Sequence, residues 1–157
     1  MKFIADRTLG KLAKKLRVLG FDSLYWRGGN LEEAAKAAFA GGRVLLTRSR
    51  RVPEKLEGLQ VLVVEANDPK EQIQEVFSKL DLRPEAGLFF SRCLMCNQAL
   101  LAIAKEEVEG KVPDFIYRSD HFFHICPSCH RIYWPGTHLE RMKKTMETPQ
   151  AETRDER

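Results

Sequence analysis

Hydrophobic residues in the first half of the chain recur with two alternating periods. Four short apolar runs have the length of buried strands: residues 2–6, 22–26, 43–47 and 60–65. Three segments have the apolar spacing of amphipathic helices: residues 8–20, 31–40 and 69–80. Strands that alternate with helices across short links predict an α/β fold with a parallel sheet and helices on its faces.

Capping residues mark the ends of two of these helices. Asn30 can cap the second helix, and Gly41 can end it. Asp68 and Pro69 are typical of the start of the third helix. Ligands of parallel sheets bind beyond the carboxyl ends of the strands. The residues after each strand are therefore the first candidates for a site: Asp6, Arg27, Arg48, Ser49 and residues 65–68.

The character of the sequence changes near residue 85, where a link containing proline and glycine precedes the cysteines. We predict one domain over residues 1–85, a second over 88–147 that ends in a helix, and a disordered polar tail over 148–157. Three strand-like segments in the second domain can form hairpins: residues 115–119, 122–125 and 131–134.

Four cysteines stand in two C-x2-C pairs, CLMC and CPSC: Cys93, Cys96, Cys126 and Cys129. Each pair can close a tight turn with both thiolates directed at one ion, and two such turns form a tetrahedral zinc site. Four protein ligands leave no position for water, so we predict a structural zinc whose removal unfolds this segment. Four histidines could replace a thiolate or serve as ordinary surface or packing residues: His121, His124, His130 and His138.

Aromatic and basic residues are interleaved around the cysteines. This composition is typical of a surface that stacks nucleic-acid bases. A small zinc-binding domain has little other core, however, so packing is the alternative for the same residues. They are Phe115, Tyr117, Arg118, Phe122, Phe123, Arg131, Tyr133 and Trp134.

Composition narrows the class of protein. The 157 residues carry a net charge of +4, which fits a nucleic-acid partner without requiring one. No run approaches the roughly 20 apolar residues of a membrane span, and the first residues lack a signal-peptide core, so we expect a cytoplasmic protein with no membrane partner. The phosphate-binding patterns GxGxxG and GxxxxGK are missing, which argues against a nucleotide cofactor. Nothing in the sequence indicates the oligomeric state.

Acidic residues at the predicted carboxyl edge of the sheet have two interpretations. Asp6 is either an ordinary acid, as a helix cap or on the surface, or a ligand of a divalent metal ion. Glu32 and Glu33 open the second helix, where the helix dipole favours acids in any case. Asp22 stands at the entry to the second strand and has the same two interpretations.

Basic residues are expected near the same edge. Arg7, Lys11 and Lys14 lie on the face of the first predicted helix opposite its leucines. Arg48 and Arg50 follow the third strand. These cations form either an ordinary solvated face or a phosphate-binding surface around acids that hold Mg²⁺ or Mn²⁺, as a metal-dependent nuclease requires.

The longest motifs resemble one known family. FIADRTLGKLAKKLRVLGFDSLYW, LEEAAKAA, RVLLTRSRR, RCLMCN, KEEVEGKVP and CPSCHRIYWPGTHLERM are together similar to the Mut-seven C-terminal ribonuclease domain family. The resemblance extends from about residue 2 to residue 143. It implies a PIN-like three-layer sandwich with a parallel sheet, followed by a small four-cysteine zinc ribbon.

The resemblance also implies the chemistry. RNA phosphodiesters are cleaved by water activated by Mg²⁺ or Mn²⁺ in an acidic pocket. Asp6 matches the first metal-binding acid of the family, and Asp22 and Glu33 match further acidic positions. The next pocket acid belongs in a T-R-D segment after the third strand, where this chain has Thr47, Arg48 and Ser49.

Ser49 leaves two functions open. A serine hydroxyl is a neutral and poorer ligand, so Mg²⁺ affinity should fall unless Asp68 or Glu32 compensates. The chain is then either an endoribonuclease with weakened catalysis or a non-catalytic adaptor that grips RNA or a ribonucleoprotein. In both cases Arg7, Lys11, Lys14, Arg48, Ser49 and Arg50 are the candidate RNA-binding residues.

Overall fold

The computed structural model describes residues 1–51 and 57–136. One compact unit contains Met1–Leu101 and Cys126–Arg131, and a second contains Ala102–Ile125 and the described residues from Ile132 to 136. The domain limits drawn from the sequence, 1–85 and 88–147, stay predictions. His138 and the predicted tail over 148–157 lie outside the described residues.

The first unit contains the predicted parallel sheet. Its strands stand in the order β2-β1-β3-β4, and every neighbouring pair is parallel. The strands are β1 (Lys2–Ala5), β2 (Asp22–Tyr25), β3 (Val44–Thr47) and β4 (Val61–Val63). This arrangement confirms the expected α/β architecture.

One face of the sheet is covered by helix α2 (Leu31–Ala40). Its alanines Ala34, Ala35 and Ala38 are fully buried and pack on Ile4 and Leu45. Small side chains let the helix approach the strands closely. The helix begins where predicted, because the Asn30 side chain accepts a hydrogen bond from the backbone N–H of Glu33.

The opposite face carries helices α1 (Gly10–Val18) and α3 (Pro69–Leu80). Phe3 is the neighbour of Ile4 in β1, so its side chain points to the other face of the sheet. Phe3 stacks edge-on with Phe21, with their ring centroids 5.8 Å apart. The ring centroids of Phe21 and of Phe77 in α3 are 5.7 Å apart. Helices therefore cover both faces of the sheet. This is expected, because right-handed connections that run in opposite directions along a sheet place their helices on opposite faces.

The carboxyl edge of this sheet has a crevice between β1 and β3. From β1 the chain leads to β2 on one side, whereas from β3 it leads to β4 on the other side. Such a reversal is where parallel sheets bind ligands. Ala5 is paired with Leu46, so Asp6 and Thr47 meet at the mouth of the crevice.

The second unit has a sheet of its own in the order β5-β6-β7. Its strands are β5 (Leu101–Ile103), β6 (Phe123–Ile125) and β7 (Ile132–Tyr133); a helix α4 (Asp114–Ser119) precedes β6, and short 3-10 helices cover Ala86–Leu88 and Lys105–Val108. The strand predicted over 115–119 is wrong. Pro113 at the N-cap and Asp114 in the first turn favour a helix start, which outweighs the apolar run that follows.

Three aromatic residues described in the second unit belong to its core. Phe123 is buried with Val108 and Val112, and Tyr117 and Trp134 pack against this cluster. Phe115 and Phe122 are instead 70% and 72% exposed. Packing is therefore the role of Phe123, Tyr117 and Trp134. Among the described residues, no helix is long and apolar enough to cross a membrane.

Candidate functional site

Asp6 lies at the end of β1 and is only 9% exposed. Its Oδ1 accepts hydrogen bonds from the backbone N–H of Thr8 at 2.8 Å and from the Thr8 hydroxyl at 2.5 Å. Its Oδ2 accepts from the hydroxyl of Thr47 at 2.5 Å. Three neutral donors thus fix the carboxylate and leave roughly one of its four lone-pair positions for another ligand.

A cavity of about 360 Å³ opens beside Asp6. Arg7 and Thr8 line it from the turn after β1, Trp26 and Gly29 from the turn after β2, and Ser49 from the turn after β3. The structure therefore brings Asp6 and Ser49 to one cavity, although 43 positions separate them along the chain. Arg7 joins them as an exposed cation.

Glu33 does not line this cavity itself, but its carboxylate lies over Gly29, which does. Glu33 is an exposed residue in the first turn of α2. A Cβ atom at residue 29 would lie 1.7 Å from Glu33 Oε2, and this glycine has a φ of +70°. The positive φ favours glycine at residue 29, and a larger residue there would displace the flexible Glu33 carboxylate from this position.

Asp22 is placed elsewhere, which corrects its assignment to the pocket. It is opposite Lys2 at the amino end of β2, the edge of the sheet away from Asp6. Arg43 forms an ion pair with it at 2.6 Å, and the Asn97 amide donates to it at 2.7 Å. Burial alone would raise the pKa of Asp22, but the hydrogen bonds from Arg43 and Asn97 reverse this and hold the pKa below its ordinary value.

The arginine-rich turn after β3 is partly engaged by its own neighbours. Arg48 donates to the Asn67 side chain at 2.5 Å. Arg50 pairs with Glu65 at 3.1 Å, with both side chains mostly exposed, so the pair adds little stability. The two guanidinium groups stay at the carboxyl edge, but neither has an ion pair with Asp6 within residues 1–51 and 57–136.

The two acids considered as substitutes for a missing ligand do not line the cavity. Asp68 caps α3 by accepting from the N–H of Lys70 at 2.8 Å. Glu32 pairs with Lys36 at 3.0 Å along α2. Each has a local structural role that accounts for its presence.

The four cysteines converge, as their spacing predicted. Their sulfur atoms all lie within 4.8 Å of one another, with Cys93 to Cys129 at 3.6 Å and Cys96 to Cys126 at 3.3 Å. Sulfurs around a tetrahedral zinc at about 2.3 Å would stand about 3.8 Å apart. The cluster could hold a metal such as zinc, and among the described residues no histidine joins it.

Two matching turns, here called the knuckles (residues 93–98 and 126–131), present these sulfurs. In each, the first cysteine donates its N–H to the carbonyl five residues later and accepts from the N–H four residues later. The residue after the second cysteine has a positive φ, 66° at Asn97 and 60° at His130. His130 thus occupies a conformational position in the second knuckle that asparagine occupies in the first.

The electrostatics of the cluster favour a bound cation. Burial raises the pKa of the Cys96 thiol to about 12, and hydrogen bonding to the other three cysteines adds to the increase. Hydrogen bonds from the backbone and guanidinium of Arg131 lower the pKa of Cys129. Thiols packed this closely resist joint ionisation, and a metal ion supplies the charge that four thiolates need.

The family model described as Mut7-C RNAse domain matches residues 1–146 of the chain. The chain belongs to the Mut7-C RNAse domain family. Comparison with curated proteins and comparison with solved structures each gave no match. The family assignment confirms the resemblance and indicates an RNA-related, nuclease-like protein.

Several residues that build this Mut7-C RNAse domain were missed by sequence reasoning. Thr8 and Thr47 hold Asp6; the signal for Thr8 was its place two residues after an aspartate, where a side chain often closes a turn. The side chain of Asn97 accepts from Ser23 N–H at 3.0 Å and so fastens the first knuckle to β2. The buried Arg17 donates to the carbonyls of Ser23 and Leu94 at 2.8 and 2.7 Å.

Lys11 and Lys14 do not reach the cavity beside Asp6. They line a different and larger cavity of about 530 Å³, together with Arg27. The basic face predicted from the sequence is thus divided. Arg7 lines the cavity beside Asp6, and the two lysines line a separate groove.

Proposed function

We propose that this protein is an endoribonuclease that depends on Mg²⁺ or Mn²⁺, with a PIN-like three-layer fold and with catalysis weakened by Ser49. The observation that carries the proposal is the setting of Asp6. A buried carboxylate, held by neutral hydroxyls, lines a cavity at the switch point of a parallel sheet in a member of an RNase family.

The residues beside this cavity fit a hard divalent cation. Mg²⁺ is usually held by one or two carboxylates, with waters and substrate phosphates completing its shell. Asp6 supplies one oxygen, Glu33 is the next carboxylate, and Ser49 is a neutral oxygen ligand. A bound Mg²⁺ or Mn²⁺ would supply the activation of water and the stabilisation of the leaving oxygen that phosphodiester hydrolysis needs.

The side chains of this chain prepare the site for that chemistry. Thr8 and Thr47 hold the Asp6 carboxylate in one orientation, so it needs no reorganisation when a cation binds. Arg7 lines the cavity and can hold a phosphate of the RNA. Arg48 and Arg50 lie at the same edge and extend the phosphate-binding surface.

A second function is favoured by one observation. Ser49 lines the cavity where an acid is expected, so the cation has one fewer negative ligand. If affinity for the cation falls far enough, the fold becomes a non-catalytic adaptor that grips RNA or a ribonucleoprotein. Arginine and lysine contacts to phosphates would survive that loss, because they do not depend on the cation.

Cleavage assays on zinc-loaded protein separate the two functions. Labelled RNA is incubated with Mn²⁺ and the wild type, Asp6→Asn, Asp22→Asn or Ser49→Asp. We expect slow cutting by the wild type, none by Asp6→Asn, retained cutting by the matched control Asp22→Asn, and faster cutting by Ser49→Asp. Cutting by Ser49→Asp alone supports the adaptor. Equal cutting by wild type and Asp6→Asn contradicts the proposed site.

The four cysteines complete the proposal. We assign them a structural zinc in a ribbon-like element, since four thiolates at these separations leave no open coordination position. Paired cysteines that serve a metal rather than disulfides suit a reducing compartment, which supports a cytoplasmic location. The partner we propose is RNA.

A further inference from the structure

A second cavity, here called the cationic groove, lies beside α1 and is defined by Lys11, Lys14, Arg17, Tyr25, Arg27 and Arg131. Its volume of about 530 Å³ exceeds the 360 Å³ of the cavity beside Asp6. Met95 and Cys96 of the first knuckle complete its wall. The groove is therefore built by the sheet edge, α1 and both cysteine knuckles.

The groove carries uncompensated positive charge. Among the residues that the structure describes, five cationic side chains and no acidic ones line it. Lys11 and Lys14 are exposed, and neither has an ion pair within residues 1–51 and 57–136. Two of the five already have partners, because the buried Arg17 donates to two backbone carbonyls and Arg131 donates to the Cys129 sulfur. A concave surface of this kind concentrates a polyanion.

The groove also has an ordered aromatic wall. The Tyr25 hydroxyl donates to the carbonyl of Arg7 at 3.0 Å, and the Arg27 guanidinium lies 5.4 Å from the ring centroid. Gly10 admits the ring, since a Cβ there would lie 2.9 Å from Tyr25 Cζ. Met95 adds an apolar side chain that is 40% exposed. Cations beside aromatic and apolar surface are typical of single-strand recognition, where bases stack while phosphates are neutralised.

The groove and the cavity beside Asp6 adjoin the same two turns. Arg7 and Thr8 line the cavity, and Gly10 and Lys11 follow them into the groove. After β2, Trp26 lines the cavity, whereas its neighbours Tyr25 and Arg27 line the groove. A polyanionic strand bound in the groove would therefore continue toward the Asp6 carboxylate.

We propose that the cationic groove binds the single-stranded RNA segment that flanks the phosphodiester placed at Asp6. The identification of the bound polyanion as RNA rests on the proposed function. Lys11, Lys14 and Arg27 bind phosphates, and Tyr25 and Met95 contact bases. Arg131, which donates to the Cys129 sulfur, ties one wall of the groove to the cysteine cluster.

Binding is tested apart from cleavage by placing every variant on the Asp6→Asn background. The zinc-loaded full chain is titrated against a labelled single-stranded oligouridylate, and anisotropy is followed at several salt concentrations. The variant Lys11→Glu with Lys14→Glu is compared with the control Lys70→Glu with Lys111→Glu. The control changes the net charge equally at exposed lysines outside the groove.

We expect the groove variant to bind at least about tenfold more weakly than the control and to lose roughly two units of salt dependence. If the groove variant and the control bind RNA with equal affinity, RNA does not bind in the cationic groove, whether or not the wild type cuts RNA. If RNA binding requires the groove but the wild type does not cut RNA, the proposed nuclease activity is wrong and RNA binding in the groove is supported. Equal affinity for a duplex of the same length would overturn the single-strand assignment.

Discussion

Two aspartates of the first unit sit at opposite edges of one sheet and have opposite environments. Asp6 follows β1, and its hydrogen-bond donors within the described part of the chain are all neutral: two threonine hydroxyls and a backbone N–H. Asp22 begins β2 and is neutralised by Arg43, with Arg92 at 4.0 Å and the Asn97 amide beside it.

The difference shows which carboxylate is available to a metal ion. The charge of Asp22 is already balanced by a permanent cation, so a divalent ion would have to displace a guanidinium. Asp6 has no cationic side chain paired with it within residues 1–51 and 57–136, and it is nearly buried beside a cavity, where an oppositely charged ion would interact with it most strongly. The edge of Asp22 is thus structural, and the edge of Asp6 is the candidate for chemistry.

Among the changes that test the difference between the edges of Asp6 and Asp22, removal of zinc should have the largest effect. The first knuckle is fastened to the edge of Asp22 through Asn97, whereas Asp6 and Thr47 are held by neighbouring strands. Chelation should therefore speed amide hydrogen exchange at residues 92–98 and at Ser23 by orders of magnitude, and much less at Asp6. Faster loss of protection at Asp6 would contradict this division of the two edges.

Arg17→Met should have the next largest effect. The guanidinium satisfies the carbonyls of Ser23 and Leu94, which lose their partner in the variant, so we expect about 2–4 kcal/mol of destabilisation. Urea unfolding measures it. Lys14→Met on the same helix is exposed and should change stability by less than about 0.5 kcal/mol. Similar losses in both variants would show that Arg17 acts only through helix propensity.

Asp22→Asn should have a smaller and pH-dependent effect. The pKa of Asp22 is lowered in the folded protein, so its ionised form contributes stability above the ordinary value of 3.8. That contribution disappears as the pH falls through the lowered folded pKa. We expect about 1–3 kcal/mol of destabilisation at neutral pH and nearly none in strong acid, measured by denaturant unfolding across pH. A pH-independent difference would contradict the ion pair.

The smallest effect is expected at Thr47. Thr47→Val removes the hydroxyl that fixes Asp6 Oδ2, at a cost of about 1 kcal/mol, while Thr47→Ser keeps it. RNA cleavage should nevertheless fall in the valine variant by more than this stability loss explains, because Asp6 becomes less well oriented. Equal cleavage rates of the valine and serine variants would show that the Thr47 hydroxyl does not orient Asp6 for cleavage.

Local patterns allowed much of this architecture to be predicted. The periodicities located four strands and three helices, and C-x2-C spacing located the two turns that carry the cysteines, because each of these features depends on nearby residues. Asp22 could not be excluded, since its partners Arg43 and Asn97 are 21 and 75 positions away. Nor could the sequence show that Lys11 and Lys14 face a groove shared with Arg131, which requires the tertiary fold.

We propose above all that Asp6 and Ser49 hold one divalent cation between them. Calorimetric titration of Mn²⁺ into zinc-loaded wild type, Asp6→Asn and Ser49→Asp tests it without RNA. We expect weak binding by the wild type, none by Asp6→Asn, and about tenfold tighter binding by Ser49→Asp, because a carboxylate replaces a neutral ligand. Wild-type affinity in Asp6→Asn, or no gain in Ser49→Asp, would contradict the account.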